Sequence, residues 1–361
     1  MTKYILLISP KLKRGGADMV LMNTASLFLS KGYAVHLLLF HKASINIDER
    51  IILHENTSKN GCGVKIIEEF VVGNKINQLN KLFDFEIIIS NKTSSRDWLK
   101  KHIEMKTFYY QHFDSSAILK NAKTNKDRRK VIRKNLMHFN GRNIICVSNG
   151  AKKSLLEAFD TKPKSIHVVY NFFDFTKVKE KSRSHQVSYK PYIIYAGRFD
   201  LACKRPDLLI EAFQYMKSDV NLLFLTSDPE ATLALCKSHA KKDKIFALPM
   251  QENPFTYMAN ASCLVLCSDY EALPLVLIES LICNTPVVST NCRSGPNEIL
   301  TGELSQYLVP CNDAKSLADK IDMALSQYPV ITDSMVAEFS GESAWCKFQK
   351  IINELKKTYH S

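Results

Sequence analysis

Short apolar runs alternate with longer amphipathic segments along almost the whole chain. In the first half, these runs predict strands at 4–9, 35–40, 86–90, 107–110, 144–147 and 167–170. The alternation restarts in the second half, where strands are predicted at 192–196, 221–226, 245–247, 263–267 and 287–290. Strands that alternate with helices favour parallel sheets covered by helices. The pattern therefore predicts two consecutive α/β units of similar size.

Helical periodicity fills many of the intervals between these strands. A long helix is predicted from about Ala17 to Lys31, where Gly32 ends it. Further helices are predicted at 207–216, 229–240, 274–283 and 314–325, with a final one from about 334 to 357. Residues 176–190 are polar and lack apolar periodicity, which indicates a linker between the units. Two such units would leave a cleft between them, and ligands bind outside the carboxyl ends of parallel strands.

The segment that begins at Asp269 and reads "DYEALPLVLIESLICNTPVVST" carries the clearest chemistry. Glu271 and Glu279 have seven residues between them, among which Pro274 opens a predicted helix. The N-terminus of a helix offers unpaired backbone N–H groups and a positive dipole end to a diphosphate. The segment therefore indicates a sugar-nucleotide site, with one carboxylate at the helix mouth for sugar hydroxyls and the other further in for ribose hydroxyls.

Three other loops carry candidate residues, and each also has a simpler interpretation. Gly197 and Arg198 close a strand and Lys204 follows, so two cations either hold a diphosphate or lie on a solvated loop. The glycine pair that ends at Gly16 is either a backbone-amide loop near a phosphate or acceptor, or a flexible turn. His112 follows a strand in "YYQHFDSS" and is placed to reach the cleft, although most lone histidines are structural or exposed.

The net charge of +13 is concentrated in the first half of the chain. Residues 1–170 hold 29 Lys+Arg and 14 Asp+Glu, or +15, and the remaining 191 residues hold 20 and 22, or −2. The run "KNAKTNKDRRKVIRK" at 120–134 has eight basic residues and one acid. Such a run is usually a solvated face, but this density favours an anionic membrane, at ~1 kcal/mol per basic residue. Nucleic acid is not expected, because the chain lacks an RNP motif, a zinc finger and a stacking-aromatic pattern. The residues predicted to contact the membrane or the acceptor, here called the basic face, are Arg128, Arg129, Lys130, Arg133 and Lys134.

The composition of the chain indicates what class of protein it is and in which compartment it is expected. Hydrophobic residues make up 45% of 361 positions, which is enough for two cores. The chain has no apolar run of 18 residues and its first apolar run is too short for a signal peptide, so neither a transmembrane helix nor secretion is expected. The ten cysteines form no C-x-x-C pair and no zinc spacing, which fits buried thiols in a reducing cytoplasm.

Together these segments resemble the retaining family-4 glycosyltransferases of the GT-B fold, and the resemblance covers nearly the whole chain. Its strongest part is "EALPLVLIE" with the following "NTPVVSTNCRSGPNEIL", and next comes "YAGRFDLACKRPDLLIEAF". The segments "GGADMVLMNTASLFLSKGYAVHLL", "ICVSNGAKKSL" and "VVYNFFD" match in order. The ending "SGPNEIL" is most similar to bacterial enzymes that extend lipid-linked or surface polysaccharides from UDP-sugars.

The resemblance implies two Rossmann-like domains that face each other across a cleft. Residues 1–175 would bind the acceptor, residues 191–333 would bind the nucleotide sugar, and a C-terminal helix in 334–361 would pack back on the first domain. The implied catalytic residues are His112, Arg198, Lys204 and Glu271, and the implied donor-nucleotide contacts are Gly16, Gly197, Arg198, Lys204, Leu275 and Glu279. Arg198 and Lys204 would bind the diphosphate, Glu271 would face the donor sugar, and Glu279 would bind the ribose. His112 would sit beside the transferred sugar. Such enzymes need no metal, and no DxD-type motif occurs here.

Two residues depart from the family pattern at positions where it usually has glycine. Arg205 follows Lys204, and Asn284 follows the helix that contains Glu279. Asparagine tolerates the left-handed conformation, so Asn284 is expected to preserve a cap at the end of that helix.

The sequence therefore predicts a cytoplasmic glycosyltransferase, peripheral on the inner face of the membrane and without a cofactor. It would move a hexose or N-acetylhexosamine from a UDP-sugar to a lipid-linked, lipopolysaccharide- or capsule-type glycan. Two alternatives remain open. One is a sugar-nucleotide epimerase on the same fold, and the other is a non-catalytic basic protein that binds nucleic acid or an anionic surface.

Overall fold

The computed structural model of the chain describes residues 2–12, 15–55, 65–91, 99–184 and 187–360. It contains two compact units, the first formed by 1–172 with 341–361 and the second by 173–340. Each unit is built around one parallel sheet with helices packed against it. The predicted fold class, two Rossmann-like α/β units, is therefore confirmed.

The sheet of the first unit has seven parallel strands in the order β3-β2-β1-β4-β5-β6-β7. These strands are β1 Lys3–Ser9, β2 Tyr33–Leu39, β3 Ile52–Glu55, β4 Ile87–Ser90, β5 Thr107–Gln111, β6 Asn143–Cys146 and β7 Ser165–Val168. The helices that precede residue 172 are α1 Gly16–Ser30, α2 Lys65–Phe83, α3 Lys101–Glu104, α4 Ser115–Lys120, α5 Asn125–Phe139 and α6 Asn149–Phe159. All six strands predicted in this half are present. The sequence pattern missed β3, because this short edge strand leaves Ile52 and Leu53 exposed and so produces no buried apolar run.

The sheet of the second unit has six parallel strands in the order β10-β9-β8-β11-β12-β13. These strands are β8 Tyr192–Gly197, β9 Asn221–Thr226, β10 Ile245–Pro249, β11 Cys263–Leu266, β12 Val287–Thr290 and β13 Leu308–Val309. Its helices are α7 Phe175–Ser182, α8 Pro206–Tyr215, α9 Pro229–Leu235, α10 Pro254–Asn260, α11 Leu275–Ile282, α12 Pro296–Ile299 and α13 Ala314–Ser326. The two-residue edge strand β13 was not predicted, since two residues are too few to show a period.

The segment 176–190, predicted as a linker, instead contains a helix of the second unit. The Asp174 side chain caps α7 by accepting from the Lys177 backbone N–H at 3.1 Å, and Val178 is buried. Asn253, just before α10, donates to the Lys181 carbonyl at 2.8 Å and so attaches the end of α7 to this unit. A helix this short needs only one buried apolar residue, which is why its periodicity is invisible in the sequence.

The last helix, α14 at Gly341–His360, belongs to the first unit. Phe28 of α1 makes edge-to-face contacts with Trp345 and Phe348, at centroid distances of 5.4 and 5.2 Å. Lys31 and Glu342 form an ion pair at 2.5 Å beside them. The prediction that the C-terminal helix packs back on the first domain is confirmed. The helix begins later than predicted, because residues Asp333–Phe339 form a 3₁₀ segment. Among the helices of the described ranges, none is long and apolar enough to span a bilayer.

The strand order of each sheet reverses at one point, which lies between β1 and β4 in the first sheet and between β8 and β11 in the second. In each sheet the order is that of dinucleotide-binding folds, in which later strands are added on the opposite side of the first strand. The crevice outside the carboxyl ends of the two strands at this point is the usual ligand site of such sheets. The loops after β1, β4, β8 and β11 are therefore the places to look for function.

Candidate active site

The end of β8 brings the backbone close to the ligand side of the second sheet. Gly197 is its last residue, and a side chain there would come within 3.1 Å of the Tyr195 hydroxyl, which donates to the Arg198 carbonyl at 3.0 Å. Arg198 is largely exposed, and its contact with Asp200 is long, at 3.9 Å. The guanidinium group of Arg198 therefore projects into solvent at the carboxyl edge of the sheet, where an anion can reach it.

Asp200 folds the loop after β8 back on itself. Its side chain accepts from the backbone N–H groups of Ala202 and Cys203, both at 3.1 Å. Its carbonyl accepts from those of Lys204 and Arg205, at 2.8 and 3.0 Å. One residue thus fixes the path of the five that follow, and that path carries Lys204 toward the loop after β11.

Lys204 and Glu271 meet as a partly buried ion pair. Nζ of Lys204 donates to Oε1 of Glu271 at 2.5 Å, and the Ser268 hydroxyl donates to the same oxygen at 2.7 Å. Burial by itself would lower the pKa of the Lys204 ammonium, but the Glu271 carboxylate outweighs burial, so that pKa is raised. Lys204 remains a cation at neutral pH, with two N–H donors beyond the one that faces Glu271.

The N-terminus of α11 lies directly after Glu271. Pro274 is the N-cap residue, and no side chain of the described residues caps the helix. The Leu277 N–H donates to the Pro274 carbonyl at 3.2 Å, which leaves the N–H groups of Leu275 and Val276 available to an anion. Gly295 packs against this helix mouth in a left-handed conformation (φ 93°), and a side chain on it would approach Pro274 to 2.5 Å. Glycine at 295 is thus required by the close packing that supports the mouth.

Glu279 lies one turn further along α11 and is partly buried. Burial raises the pKa of its carboxyl to about 7. Within the described part of the chain, no side chain donates a hydrogen bond to this carboxylate. A carboxylate that is desolvated without a partner is costly, and hydroxyl groups of a bound ligand would lower that cost.

Asn284 ends α11 as predicted. It adopts the left-handed conformation with φ 60°. The Thr285 N–H donates to the Ser280 carbonyl at 2.9 Å, and the Asn284 N–H donates to that of Leu281 at 3.1 Å. This pair of bonds is a Schellman cap, so the expectation that asparagine can replace the usual glycine here is confirmed.

The first unit brings Gly16 and His112 to its own carboxyl edge. Gly16 is the first residue of α1, and its N-cap Gly15 makes no side-chain cap. Nε2 of His112 donates to Oδ1 of Asn91 at 3.0 Å, and Nδ2 of Asn91 donates to the Ala17 carbonyl at 3.3 Å. Asn91 follows β4 directly and thus connects the histidine to the start of α1.

His112 is held in one orientation and in the neutral state. Its ring stacks on Tyr110 with centroids 4.8 Å apart, and burial lowers its pKa to about 4. Because Nε2 carries the proton that Asn91 accepts, Nδ1 is the acceptor nitrogen of the ring. A neutral, oriented imidazole of this kind can accept a hydrogen bond from a substrate hydroxyl.

The basic face lies on α5, which follows His112 and α4 along the chain. All five of its side chains are exposed, whereas Asn135 and Phe139 of the same helix are buried. Lys130, Arg133 and Lys134 share one side of the helix with Met137, which is 63% exposed. A groove of about 430 Å³ runs between α4 and α5 beside this helix, lined in part by Ile118 and Val131. The surface thus combines positive charge with exposed apolar atoms.

The structure brings together the site residues predicted within each unit. Lys204 and Glu271 touch, and Gly197, Arg198, Leu275 and Glu279 lie on the loops and the helix at the same edge of the second sheet. Sequence reasoning missed Asp200, Ser268 and Asn91. Asn91 had the same signal as His112, because it directly follows a predicted strand. Asp200 and Ser268 act through contacts with backbone groups or with a carboxylate, and no sequence motif predicts such contacts.

Two family models match the chain in succession. A model described as "Glycosyltransferase Family 4" matches residues 14–177, and one described as "Glycosyl transferases group 1" matches residues 177–337. Among curated relatives, a Campylobacter jejuni N-acetylgalactosamine-N,N'-diacetylbacillosaminyl-diphospho-undecaprenol 4-alpha-N-acetylgalactosaminyltransferase is 30% identical over 172 residues, 47% of each protein. The N-acetyl-alpha-D-glucosaminyl L-malate synthase of Bacillus anthracis is 26% identical over 55% of this chain and 54% of its own length. The chain spans about half the length of these curated relatives.

Solved structures resemble the chain over nearly its whole length. Sucrose-phosphate synthase from Thermosynechococcus elongatus superposes with a TM-score of 0.77 at 17% identity, covering 99% of this chain and all of that one. Anabaena HepE in complex with UDP gives a TM-score of 0.72 at 15% identity, over 98% of this chain and 100% of its own. The lipopolysaccharide outer core galactosyltransferase WaaB gives 0.72 at 18% identity, over 98% and 99%. At these identities the likeness establishes the fold, which is GT-B.

Proposed function

The chain belongs to the family-4 glycosyltransferases of the GT-B fold, and on that premise we propose that it transfers a hexose or N-acetylhexosamine from a UDP-sugar to a lipid-linked glycan, with retention of configuration and without a metal. The observation that carries the proposal is the cluster at the carboxyl edge of the second sheet. There a partly buried Lys204–Glu271 pair adjoins the uncapped start of α11, and Glu279 follows one turn later.

The donor's diphosphate would be the group that these cations and N–H groups recognise. Arg198 and Lys204 supply two positive charges, and the first turn of α11 supplies unpaired donors on a positive dipole end. These groups are already in place before charge develops on the leaving diphosphate, so little reorganisation is needed as the sugar bond breaks. Removing one such contact typically costs ~10²–10³ in rate. This positive set also takes the role that a divalent cation would otherwise play, which supports the metal-independent form of the proposal.

The two glutamates would bind the two ends of the donor, Glu279 the ribose and Glu271 the sugar. Glu279 is a desolvated carboxylate with unused acceptor capacity, as a ribose site requires. Glu271 sits at the helix mouth, where Ser268 and Lys204 fix one of its oxygens, so its other oxygen would face the donor sugar. UDP is the proposed nucleotide on the strength of the family resemblance, and Anabaena HepE, with the same fold, was solved with UDP.

In the first unit, His112 would accept a hydroxyl of the transferred sugar through Nδ1, and the uncapped start of α1 at Gly16 would approach the donor phosphate or the acceptor. The lipid-linked acceptor is proposed because the Campylobacter jejuni relative is named for an acceptor on diphospho-undecaprenol. An enzyme with such an acceptor works at a membrane surface, and the basic face with the exposed Met137 suits an anionic bilayer. These two observations support our proposal that the protein works on the inner face of the cytoplasmic membrane.

A donor panel tests the proposal directly. Isothermal titration of the purified chain with UDP, UDP-glucose, UDP-galactose and both UDP-N-acetylhexosamines, in EDTA, should give tight binding of UDP and of at least one UDP-sugar. Incubating that donor with a synthetic N-acetylhexosaminyl-diphosphoprenol should release UDP and lengthen the glycan, with the new bond in the donor's anomeric configuration. Conversion of the free donor into a second UDP-sugar would instead establish the epimerase alternative. Activity lost in EDTA and restored by Mg²⁺ or Mn²⁺ would contradict the metal-independent mechanism.

A further inference from the structure

We infer that Arg205 is a positioning residue for the sugar end of the donor site. Its guanidinium group ties together the loops that follow β8, β11 and β13, and through them it holds the Glu271 carboxylate against Lys204. This inference rests on the proposed function, because it assigns a role within the same site.

The contacts of Arg205 reach two other parts of the second unit. Nε and Nη2 bond the Asp207 carboxylate at the start of α8, with distances from 2.9 to 3.1 Å. Nη1 donates to Oδ2 of Asp269 at 3.3 Å, in the loop after β11, and also to Oδ1 of Asn312, in the loop after β13. A single side chain therefore joins three connections at the carboxyl edge of the sheet.

The link to Asp269 matters because Glu271 is only two residues further on. The same two loops are also joined where the Asp269 N–H donates to the Cys203 carbonyl at 2.8 Å. Lys204 directly precedes Arg205 in the chain, and Asp269, which Arg205 contacts, lies two residues before Glu271. The arginine therefore holds the backbone beside both members of the ion pair. Since an error of about 1 Å in a reacting geometry can cost ~10² in rate, a contact that fixes both loops can matter for turnover without touching the substrate.

The guanidinium group has little capacity left for a ligand. Four of the five N–H donors of Arg205 are engaged by the contacts above. Two carboxylates, those of Asp207 and Asp269, balance its charge. Unlike Arg198, which is exposed, Arg205 is therefore built into the frame of the site rather than offered to a diphosphate.

The backbone conformation at Arg205 favours glycine, so the turn itself does not require the arginine side chain. The residue adopts the left-handed conformation, with φ 50° and ψ 52°, which disfavours every residue with a side chain. Glycine would fit this turn more easily. Arg205→Gly therefore removes the contacts among the three loops without straining the left-handed backbone. Arg205→Ala would keep a Cβ atom in that conformation, so the glycine variant is the cleaner test.

The experiment compares Arg205→Gly and Arg205→Lys with the parent, using the UDP-sugar selected by the donor panel and the synthetic diphosphoprenol acceptor. We expect Arg205→Gly to lower kcat by about 10- to 100-fold and to change the Kd for UDP by less than about threefold, because Glu279 and the start of α11 are untouched. Arg205→Lys should recover part of kcat, since one cation can still bond one of the two carboxylates but cannot reproduce the fork. Arg183→Gly, at an exposed arginine at the end of α7 in the same unit, is the matched control and should behave as the parent.

Each outcome decides the matter. Parent-like kcat in Arg205→Gly would overturn this inference alone and leave the proposed function intact. A parallel loss of UDP affinity and thermal stability without recovery in Arg205→Lys would show a merely structural role and also overturn it. A parent protein that neither binds UDP nor transfers sugar would overturn the proposed function, and the inference with it.

Discussion

Replacing Glu279 with glutamine should stabilise the unliganded protein at alkaline pH and weaken its binding of UDP. The substitution keeps the size of the side chain and removes the charge that burial disfavours. Burial raises the pKa of this carboxyl from its ordinary 4.5 to about 7. Since one pKa unit corresponds to about 1.4 kcal/mol, the ionised carboxylate costs the folded state at most roughly 3 kcal/mol. The side chain is partly exposed, so solvent screening reduces the expected gain to about 1–2 kcal/mol.

The pH dependence of this gain follows from the direction of the shift. Below about pH 4.5 the carboxyl is protonated in both the folded and the unfolded chain, so Glu279 carries no penalty. Between about pH 4.5 and 7 the unfolded chain loses the proton first, and folded stability falls. Above about pH 7 both states are ionised and the penalty is complete. The difference in unfolding free energy between Glu279→Gln and the parent should therefore be small at pH 4.5 and full at pH 8.

Urea unfolding followed by circular dichroism at both pH values measures this difference. Glu211→Gln, an exposed acid on α8 of the same unit, is the control and should show no pH-dependent gain. In parallel, the Kd for UDP at pH 8 should rise by about five- to tenfold. The reason is that a hydrogen bond from a ribose hydroxyl to a neutral amide is about 1 kcal/mol weaker than one to a carboxylate. A gain of equal size at pH 4.5 and pH 8 would refute the burial argument, and unchanged UDP affinity would refute the ribose assignment.

Three further predictions address the rest of the molecule. Glu271→Gln should lower kcat by ~10²–10³ while leaving UDP affinity close to that of the parent, and equal losses in both would move Glu271 out of the sugar site. The parent should float with anionic vesicles at 0.1 M salt and release them at 1 M, as the Debye length falls from ~10 to ~3 Å. Gln substitution of the whole basic face should abolish that binding and spare UDP binding; saturable binding of RNA by the parent would favour the nucleic-acid alternative. Burial against His54 lowers the pKa of His36 to about 4, so the first unit should lose stability as pH falls from about 6.5 toward 4. His36→Asn should flatten that loss in urea unfolding at pH 5 relative to pH 7, and an unchanged slope would contradict the buried-neutral state.

Features that depend on neighbouring residues along the chain could be predicted from the sequence. Strands buried on both faces appear as continuous apolar runs, so the central strands of both sheets were predictable. The spacing of Glu271 and Glu279 around Pro274 placed one carboxylate before a helix and the other inside it, because the helix rise and period are fixed. The left-handed cap at Asn284 followed from the properties of one residue type.

Features that depend on which loops come into contact could not be predicted from the sequence. Lys204 and Glu271 are 67 positions apart, and Arg205 and Asn312 are 107 apart. These residues become neighbours because β8, β11 and β13 are parallel and end at the same edge of one sheet, and no local pattern encodes that strand order. The edge strands β3 and β13 and the helix α7 escaped prediction for a related reason. Each is short and buries few side chains, so its existence depends on the partner it packs against rather than on its own sequence.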